Sequence, residues 1–172
     1  MLAANSSTSP VWAAATHSSA VAASSEPLAA PSIESTGSIE STESATILVL
    51  RLQARRVYLY SGDTLINSYP VAVGAAETPT PQGQFAISRM VVDPVWQSPW
   101  TGEVHPPGPN SALGLRWIEF TSNADGAFGF HGTPTVDSIG KAASNGCVRM
   151  YNEDVVELFS QVEVGTPVLV EP

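Results

Sequence analysis

Cysteine is nearly absent from the sequence, since Cys147 is the only one in 172 residues. One cysteine cannot form a disulfide within the chain, and it cannot build a zinc site from several thiolates. Long hydrophobic runs are missing too: the longest run of large aliphatic residues, 47–50, is far shorter than the roughly 20 apolar residues that span a bilayer. We therefore expect no disulfide framework, no metal or other cofactor, and no transmembrane segment.

Basic residues are also scarce. Seven Lys and Arg residues stand against 16 Asp and Glu residues, which gives a net charge of −9 at pH 7. Phosphate backbones repel a protein of this charge, so we expect no nucleic-acid partner. The sequence contains neither a G-x-S-x-G motif nor a Walker A motif, which argues against a serine hydrolase and against a nucleotide site.

The first 45 residues differ in composition from the rest. Of these, 30 are Ser, Thr, Ala or Pro, and none is Lys or Arg. Such a segment offers too little apolar surface to offset the entropy of ordering, so we interpret 1–45 as a flexible tether. The segment lacks the basic and apolar regions of a secretory signal, but residues 12–16 resemble the small-residue end of one, as a remnant of an export leader would. The remaining 127 residues, 46–172, suffice for one domain.

Most of this domain has the composition of β-strands. Runs rich in β-branched, aliphatic and aromatic residues alternate with loops rich in Pro and Gly, which is typical of strands and turns. The turn at 61–63 separates two such runs and predicts a hairpin. The predicted strands are 47–50, 57–60, 65–73, 84–92, 115–120, 128–131 and 167–170.

One segment in the C-terminal half predicts a helix instead. Asn152 is a suitable cap, Glu153 and Asp154 suit the positive end of a helix dipole, and an apolar stripe follows at 155, 158, 159 and 162. Many short strands with one helix predict a mainly-β protein, a sandwich or barrel with the helix packed on it.

The most informative short segment is 144–150, Ser-Asn-Gly-Cys-Val-Arg-Met. A lone Cys is often a small buried hydrophobic residue, and that interpretation of Cys147 stays open on the residue alone. Its context favours a nucleophile: Gly146 leaves room for a substrate backbone, and the positive charge of Arg149 favours the thiolate.

A nucleophilic thiol needs a base, and the sequence offers three His residues. His17 lies in the tether, and His105 lies in a loop without a catalytic signature. His131 ends the apolar strand 128–131 and is followed by Gly and Thr, so a rigid sheet can hold its ring at the edge of a cleft. We therefore select His131 as the candidate base.

Together these residues resemble a known family. His131-Gly132-Thr133 is followed, sixteen residues after the His, by the Ser-x-Gly-Cys-Val-Arg-Met segment at 144–150. Segments 69–74, 78–85, 107–110 and 165–168 agree in the same order. The pattern resembles the L,D-transpeptidase catalytic domain of the YkuD type over about 46–172, although many members carry His where this chain has Asn145 and Pro where it has Ala112.

The resemblance implies a mixed β-sandwich and a cysteine-dependent acyltransferase of the cell wall. In such an enzyme the thiol attacks a peptidoglycan stem tetrapeptide, D-Ala leaves, and an amine takes the acyl group to give a 3→3 crosslink or an attached envelope protein. A location in the cell envelope, outside the cytoplasm, and acylation by carbapenem-type β-lactams are implied as well.

The resemblance also assigns roles to individual residues. It makes Cys147 the nucleophile, His131 the general base and acid, and the backbone carbonyl of Gly132 the group that orients the His131 ring. The backbone N–H groups of Gly146, Cys147 and Asn145 become candidates for the oxyanion site. Substrate binding is expected of Arg149, Ser144 and Thr133, with a structural salt bridge as the alternative role of Arg149.

Two other functions stay open at this point. An L,D-carboxypeptidase would use water in place of the acceptor amine and would share the first half of the reaction. A non-catalytic wall-binding module would use the same cleft without the chemistry. The sequence does not identify the oligomeric state.

Overall fold

The predicted strands are present in a computed structural model, which describes residues 45–98, 101–124 and 126–172. Segment 1–44, which carries nearly all of the predicted tether, lies outside the described residues. The described part contains one α-helix, α1 (Asn152–Phe159), a 3₁₀ helix at Val136–Ser138, and thirteen strands. The strands are β1 (Thr46–Arg51), β2 (Arg56–Ser61), β3 (Thr64–Pro70), β4 (Val73–Gly74), β5 (Gly83–Ala86), β6 (Arg89–Val92), β7 (Trp96–Gln97), β8 (Val104–His105), β9 (Arg116–Asn123), β10 (Gly126–Gly132), β11 (Ala142–Ser144), β12 (Val148–Met150) and β13 (Pro167–Glu171).

Two larger sheets form the body of the fold. The first has the order β3-β2-β1-β13-β5, and its central strand β1 is parallel to β13 and antiparallel to β2. The second has the order β12-β10-β9-β6, and in it only the β10–β12 pair is parallel. Two short pairs, β4–β11 and β7–β8, lie outside these sheets.

The two sheets share one hydrophobic core. Every second side chain of β1 and β2 is buried, as the two-residue repeat of a strand requires when one face is covered. The facing strands of the second sheet and the helix supply the other half of the core, including Ile118, Phe130, Val148, Val155 and Leu158. The predicted mixed β-sandwich with one packed helix is therefore confirmed.

The prediction for the start of the helix needs a correction. Tyr151, not Asn152, is the cap residue of α1, and no side-chain hydrogen bond caps the helix. The Asn152 side chain is bound to the loop before β9 instead: it accepts the N–H of Leu115 and donates to the carbonyl of Pro109. Asn152 therefore uses its side chain for a tertiary contact with this loop and not for capping the helix.

Two of the predicted strands are also divided. The run 84–92 forms β5 in the first sheet and β6 in the second, and the chain crosses between the sheets at Ile87, whose N–H donates to the Thr166 carbonyl. The run 65–73 ends as β3 at Pro70 and continues as the short strand β4, which pairs with β11. Within the segment 144–150, the loop is confined to the residues between β11 and β12.

None of the helices in the described residues is long and apolar enough to cross a membrane.

Candidate active site

The pairing of β10 with β12 brings the candidate residues together. In this parallel register Phe130 lies beside Val148, and His131 lies beside Arg149. Phe130 and Val148 point into the core, so the alternation of strand side chains turns His131 and Arg149 to the opposite face. Cys147 precedes Val148 and shares that face. All three line one cleft of about 1110 Å³.

The His131 ring is fixed by its surroundings. Its Nδ1 donates to the Gly132 carbonyl at 2.7 Å, which leaves Nε2 as the nitrogen that can accept a proton. The ring packs beside Trp117 with the centroids 5.9 Å apart. Gly132 therefore makes the contact that an orienting group makes, while its role in a reaction stays a prediction.

The same surroundings keep His131 neutral. Its pKa is lowered from 6.5 to about 4, mainly by burial. Backbone hydrogen bonding by Gly132 and, less strongly, by Ala112 acts to raise the pKa, whereas the positive charge of Arg149 lowers it further. A neutral imidazole whose Nε2 carries no proton is the form that can take a proton from a thiol.

Cys147 differs from the expectation of a readily ionised thiol. Burial raises its pKa, whereas a hydrogen bond with the Gly129 backbone and the charge of Arg149 lower it less strongly. Its Sγ lies 3.5 Å from the Ala127 carbonyl, to which the thiol donates. The charge of Arg149 lowers the pKa of Cys147, as predicted, but desolvation raises that pKa by more. The resting pair is therefore a neutral thiol and a neutral imidazole.

A network of hydrogen bonds holds the loop that leads to the thiol. Ser144 is buried; its hydroxyl donates to the Cys147 carbonyl and accepts the N–H of Gly146 at 3.2 Å. Gly146 has φ 108°, and a Cβ there would lie 2.6 Å from the Phe128 ring. The sequence interpretation gave Gly146 the task of admitting substrate; the structure adds that the protein's own ring already requires glycine.

The Thr-Pro-Thr-Pro segment supports this loop from the other side, a role that the sequence reasoning missed. Thr78 donates its hydroxyl to the Ser144 carbonyl at 3.0 Å, and Thr80 donates to the Gly146 carbonyl at 2.8 Å. The Thr80 hydroxyl also accepts the N–H of Gly74 at 2.9 Å. Two hydroxyls separated by one proline were the signal in the sequence, but their targets lie 66 residues away.

Among the described residues that line the cleft, Arg149 is the only Lys, Arg, Asp or Glu. Its backbone exchanges two hydrogen bonds of 2.9 Å with Ala72, which fixes the main chain. Within 45–98, 101–124 and 126–172 its guanidinium forms no ion pair. The structural salt bridge is therefore not found in that part of the chain, and the cation faces the cleft.

The remaining predicted residues border the same cleft. Asn145 is exposed there, whereas Thr133 is buried and its hydroxyl accepts the N–H of Thr135 at 3.1 Å. His105 also lines the cleft, 5.0 Å from the Trp96 ring and 3.7 Å from a Glu103 oxygen. His17 lies outside the described residues. The oxyanion role of the Asn145 N–H and the substrate contacts of Thr133 and Ser144 stay predictions.

The fold and the site define a β-sandwich domain in which Cys147 and His131 line one open cleft. Comparison with known proteins is consistent with this class. A family model described as "L,D-transpeptidase catalytic domain" (YkuD) matches residues 45–170. The chain belongs to this family.

Individual relatives agree with the family assignment. The chain is 37% identical over 125 residues to a protein of Bacillus licheniformis named "Putative L,D-transpeptidase YkuD", covering 73% of this chain and 65% of that protein. It is similar to the solved structure of LdtMt1 in complex with imipenem, with TM-score 0.58, 25% identity, and coverage of 74% and 59%. The catalytic domain of the Enterococcus faecium enzyme superposes with TM-score 0.58 at 23% identity, covering 76% of this chain and 99% of that one.

Proposed function

We propose that this chain is a cysteine-dependent L,D-transpeptidase that acts on peptidoglycan stem peptides. The observation that carries the proposal is the placement of Cys147, His131 and Arg149 on one face of the β10–β12 pair, in one cleft. The family supplies the class of reaction and of substrate. Because the chain spans 65% of the length of the Bacillus licheniformis relative, activity and substrate are both part of the proposal.

The first half of the reaction is an acyl transfer to sulfur. His131 Nε2 takes the thiol proton of Cys147 while Sγ attacks the carbonyl of the third stem residue. The tetrahedral intermediate collapses, the bond to the D-Ala nitrogen breaks, and imidazolium returns the proton to that leaving amine. The neutral resting pair fits this order, because charge then forms only as the attack proceeds.

The oxyanion of this intermediate needs donors that are already in place. We assign the backbone N–H groups of Cys147 and Asn145. The N–H of Gly146 already donates to the Ser144 hydroxyl at 3.2 Å, which is the long end of the range for such bonds. It could therefore reach the oxyanion as well, in a three-centre hydrogen bond. Losing one oxyanion donor costs about 3 kcal/mol in the barrier.

Arg149 binds a substrate carboxylate in this proposal. Stem peptides are anionic, and a planar guanidinium accommodates a carboxylate with two hydrogen bonds. In the second half-reaction an amine attacks the thioester, loses its proton to His131, and releases the thiol. The amine comes from a second stem or an envelope protein, so the enzyme acts in the cell envelope, outside the cytoplasm.

The test is intact-mass spectrometry of the protein with a tetrapeptide stem. We expect an adduct on Cys147 of the mass of the stem without D-Ala, together with released D-Ala. Cys147→Ser, which changes one atom, should show neither above about one thousandth of the wild-type rate, since a hydroxyl is a far weaker nucleophile. D-Ala release at an unchanged rate by that variant would contradict the assignment of the nucleophile.

Adding an acceptor amine identifies the second half-reaction. A crosslinked dimer supports the transpeptidase, and a tripeptide alone indicates the carboxypeptidase. Binding of stems by both wild type and Cys147→Ser without any adduct would indicate the non-catalytic module.

A further inference from the structure

We propose that Asn152 is a positioning residue for His131, because its side chain holds both ends of the loop segment that contacts the imidazole. We call this segment, residues 109–115, the covering loop. The inference deepens the proposed function and rests on His131 being the base of that reaction.

One side chain ties the two ends of the covering loop. Asn152 Nδ2 donates to the Pro109 carbonyl at 3.1 Å, and Asn152 Oδ1 accepts the N–H of Leu115 at 3.1 Å. These partners are six positions apart in sequence. Because the side chain does not cap α1, both polar atoms of the amide serve the loop and not the helix.

The loop between these two ends touches the candidate base. Ala112 lines the same cleft as His131, and its backbone acts to raise the pKa of the ring. Two successive turns set the path of the chain here: the N–H of Ser111 donates to the Gly108 carbonyl at 3.0 Å, and the N–H of Gly114 donates to the Ser111 carbonyl at 2.9 Å, so that Ala112 lies within the second turn. The position of Ala112 relative to the ring therefore depends on where Asn152 anchors the loop.

Asn152 also packs against the peptide that orients the ring from the other side. A Cβ at Gly132 or at Gly114 would overlap Asn152 Oδ1, so both positions are glycines where this amide passes. Gly132 is the residue whose carbonyl accepts the His131 Nδ1–H. Asn152 thus contacts both the covering loop and the peptide that accepts the His131 Nδ1–H.

A purely structural role would also lower stability, so the test needs a matched control. Asn67 provides one: it is half-buried like Asn152, and its Nδ2 donates to Tyr69 Oη at 3.1 Å and to Glu157 at 2.9 Å. It ties the same helix to β3 in the first sheet, whereas His131 lies on β10 in the second. Asn67→Ala should therefore lower the melting temperature by a similar amount and leave His131 unchanged.

The experiment measures the titration of His131 by NMR in the full chain, together with the rate of Cys147 acylation by a carbapenem. In Asn152→Ala the loosened loop admits water to the ring. We expect its pKa to rise from about 4 toward 6.5, because burial is the largest cause of the lowering. Acylation should slow by about tenfold or more, as misplaced catalytic groups do. His131→Gln assigns the resonance among the three His residues.

Asn152→Ser, which also suits the start of a helix, gives the same readout if Asn152→Ala does not fold. An unchanged His131 titration in either folded variant, with acylation within twofold of wild type, would overturn the inference. If wild type itself is not acylated and releases no D-Ala, the proposed function fails, while the titration still decides whether Asn152 sets the environment of His131.

Discussion

Gly146 lies so close to the Phe128 ring that a Cβ on it would come within 2.6 Å of ring carbon Cε1. Phe128 belongs to the shared core and is held by its strand, so the ring cannot retreat cheaply. The loop that carries the thiol is thereby pressed onto the same strand, β10, that carries His131.

Replacing this glycine should be costly for stability. Gly146→Ala combines the overlap with a φ of 108°, which side chains rarely adopt, and we expect a loss of about 2 to 5 kcal/mol in the free energy of unfolding. Gly140→Ala is the control, since its φ is 82° but no neighbouring atom lies within 4 Å of its Cβ. Denaturant unfolding of both variants measures the difference; equal losses would show that the contact with Phe128 contributes nothing.

Thr80 should be needed for its hydroxyl. In Thr80→Val the Gly146 carbonyl and the Gly74 N–H both lose a buried partner while the shape is kept, so we expect a loss of about 2 to 4 kcal/mol. Thr80→Ser keeps the hydroxyl and should lose about 1 kcal/mol through its missing methyl group. A Val variant as stable as the Ser variant would contradict the bracing role of Thr80.

The buried His131 should make stability depend on pH. Its pKa is about 4 in the folded protein and 6.5 when exposed, so the unfolded state binds more protons between these values. Stability should therefore fall as the pH is lowered from about 6.5 toward 4, by up to about 1.4 kcal/mol per pH unit from this residue.

His131→Gln isolates this contribution. Asp154, whose pKa is raised by burial, titrates in the opposite sense and is present in both proteins, so the difference between their unfolding curves belongs to His131. Parallel stability curves for the two proteins over this range would show that the ring is not buried in its neutral form.

The sequence was sufficient for the fold class and for the expectation that His131 and Cys147 border one cleft. Strand runs and turn residues are local signals, and a His at a strand end or a Cys between Gly and a strand can be read directly. The division of 84–92 between two sheets could not be read, because it depends on the long-range bond from Ile87 to Thr166.

Burial was the main quantity that the sequence concealed. The charge of Arg149 was visible and predicts an ionised Cys147, but the larger desolvation effect exists only once the sheets are packed. Asn152 shows the same limit: its residue type suits a helix cap, and only the tertiary position of the covering loop explains its actual partners.

Acylation by a carbapenem should separate the roles of His131 and Arg149. His131→Ala removes the proposed base, which a neutral Cys147 thiol would require, so we expect acylation at saturating inhibitor to slow by about 100-fold or more. Arg149→Ala removes the cation assigned to the inhibitor carboxylate and should weaken binding by about tenfold, with a smaller change in the saturating rate. Arg149 also lowers the pKa values of both His131 and Cys147, so some change in that rate is expected.

Time-resolved intact-mass spectrometry at several inhibitor concentrations measures both quantities, and peptide mapping locates the adduct. Arg89→Ala is a suitable control, because it removes an exposed cation on β6 that does not line the cleft. An adduct that forms as fast without His131 as with it, or that maps to a serine, would contradict the Cys–His pair. If Arg89→Ala weakens binding as much as Arg149→Ala does, the effect of Arg149 comes from the net charge of the protein. A specific contact with the inhibitor would be lost only in Arg149→Ala, because of the two cations only that of Arg149 faces the cleft.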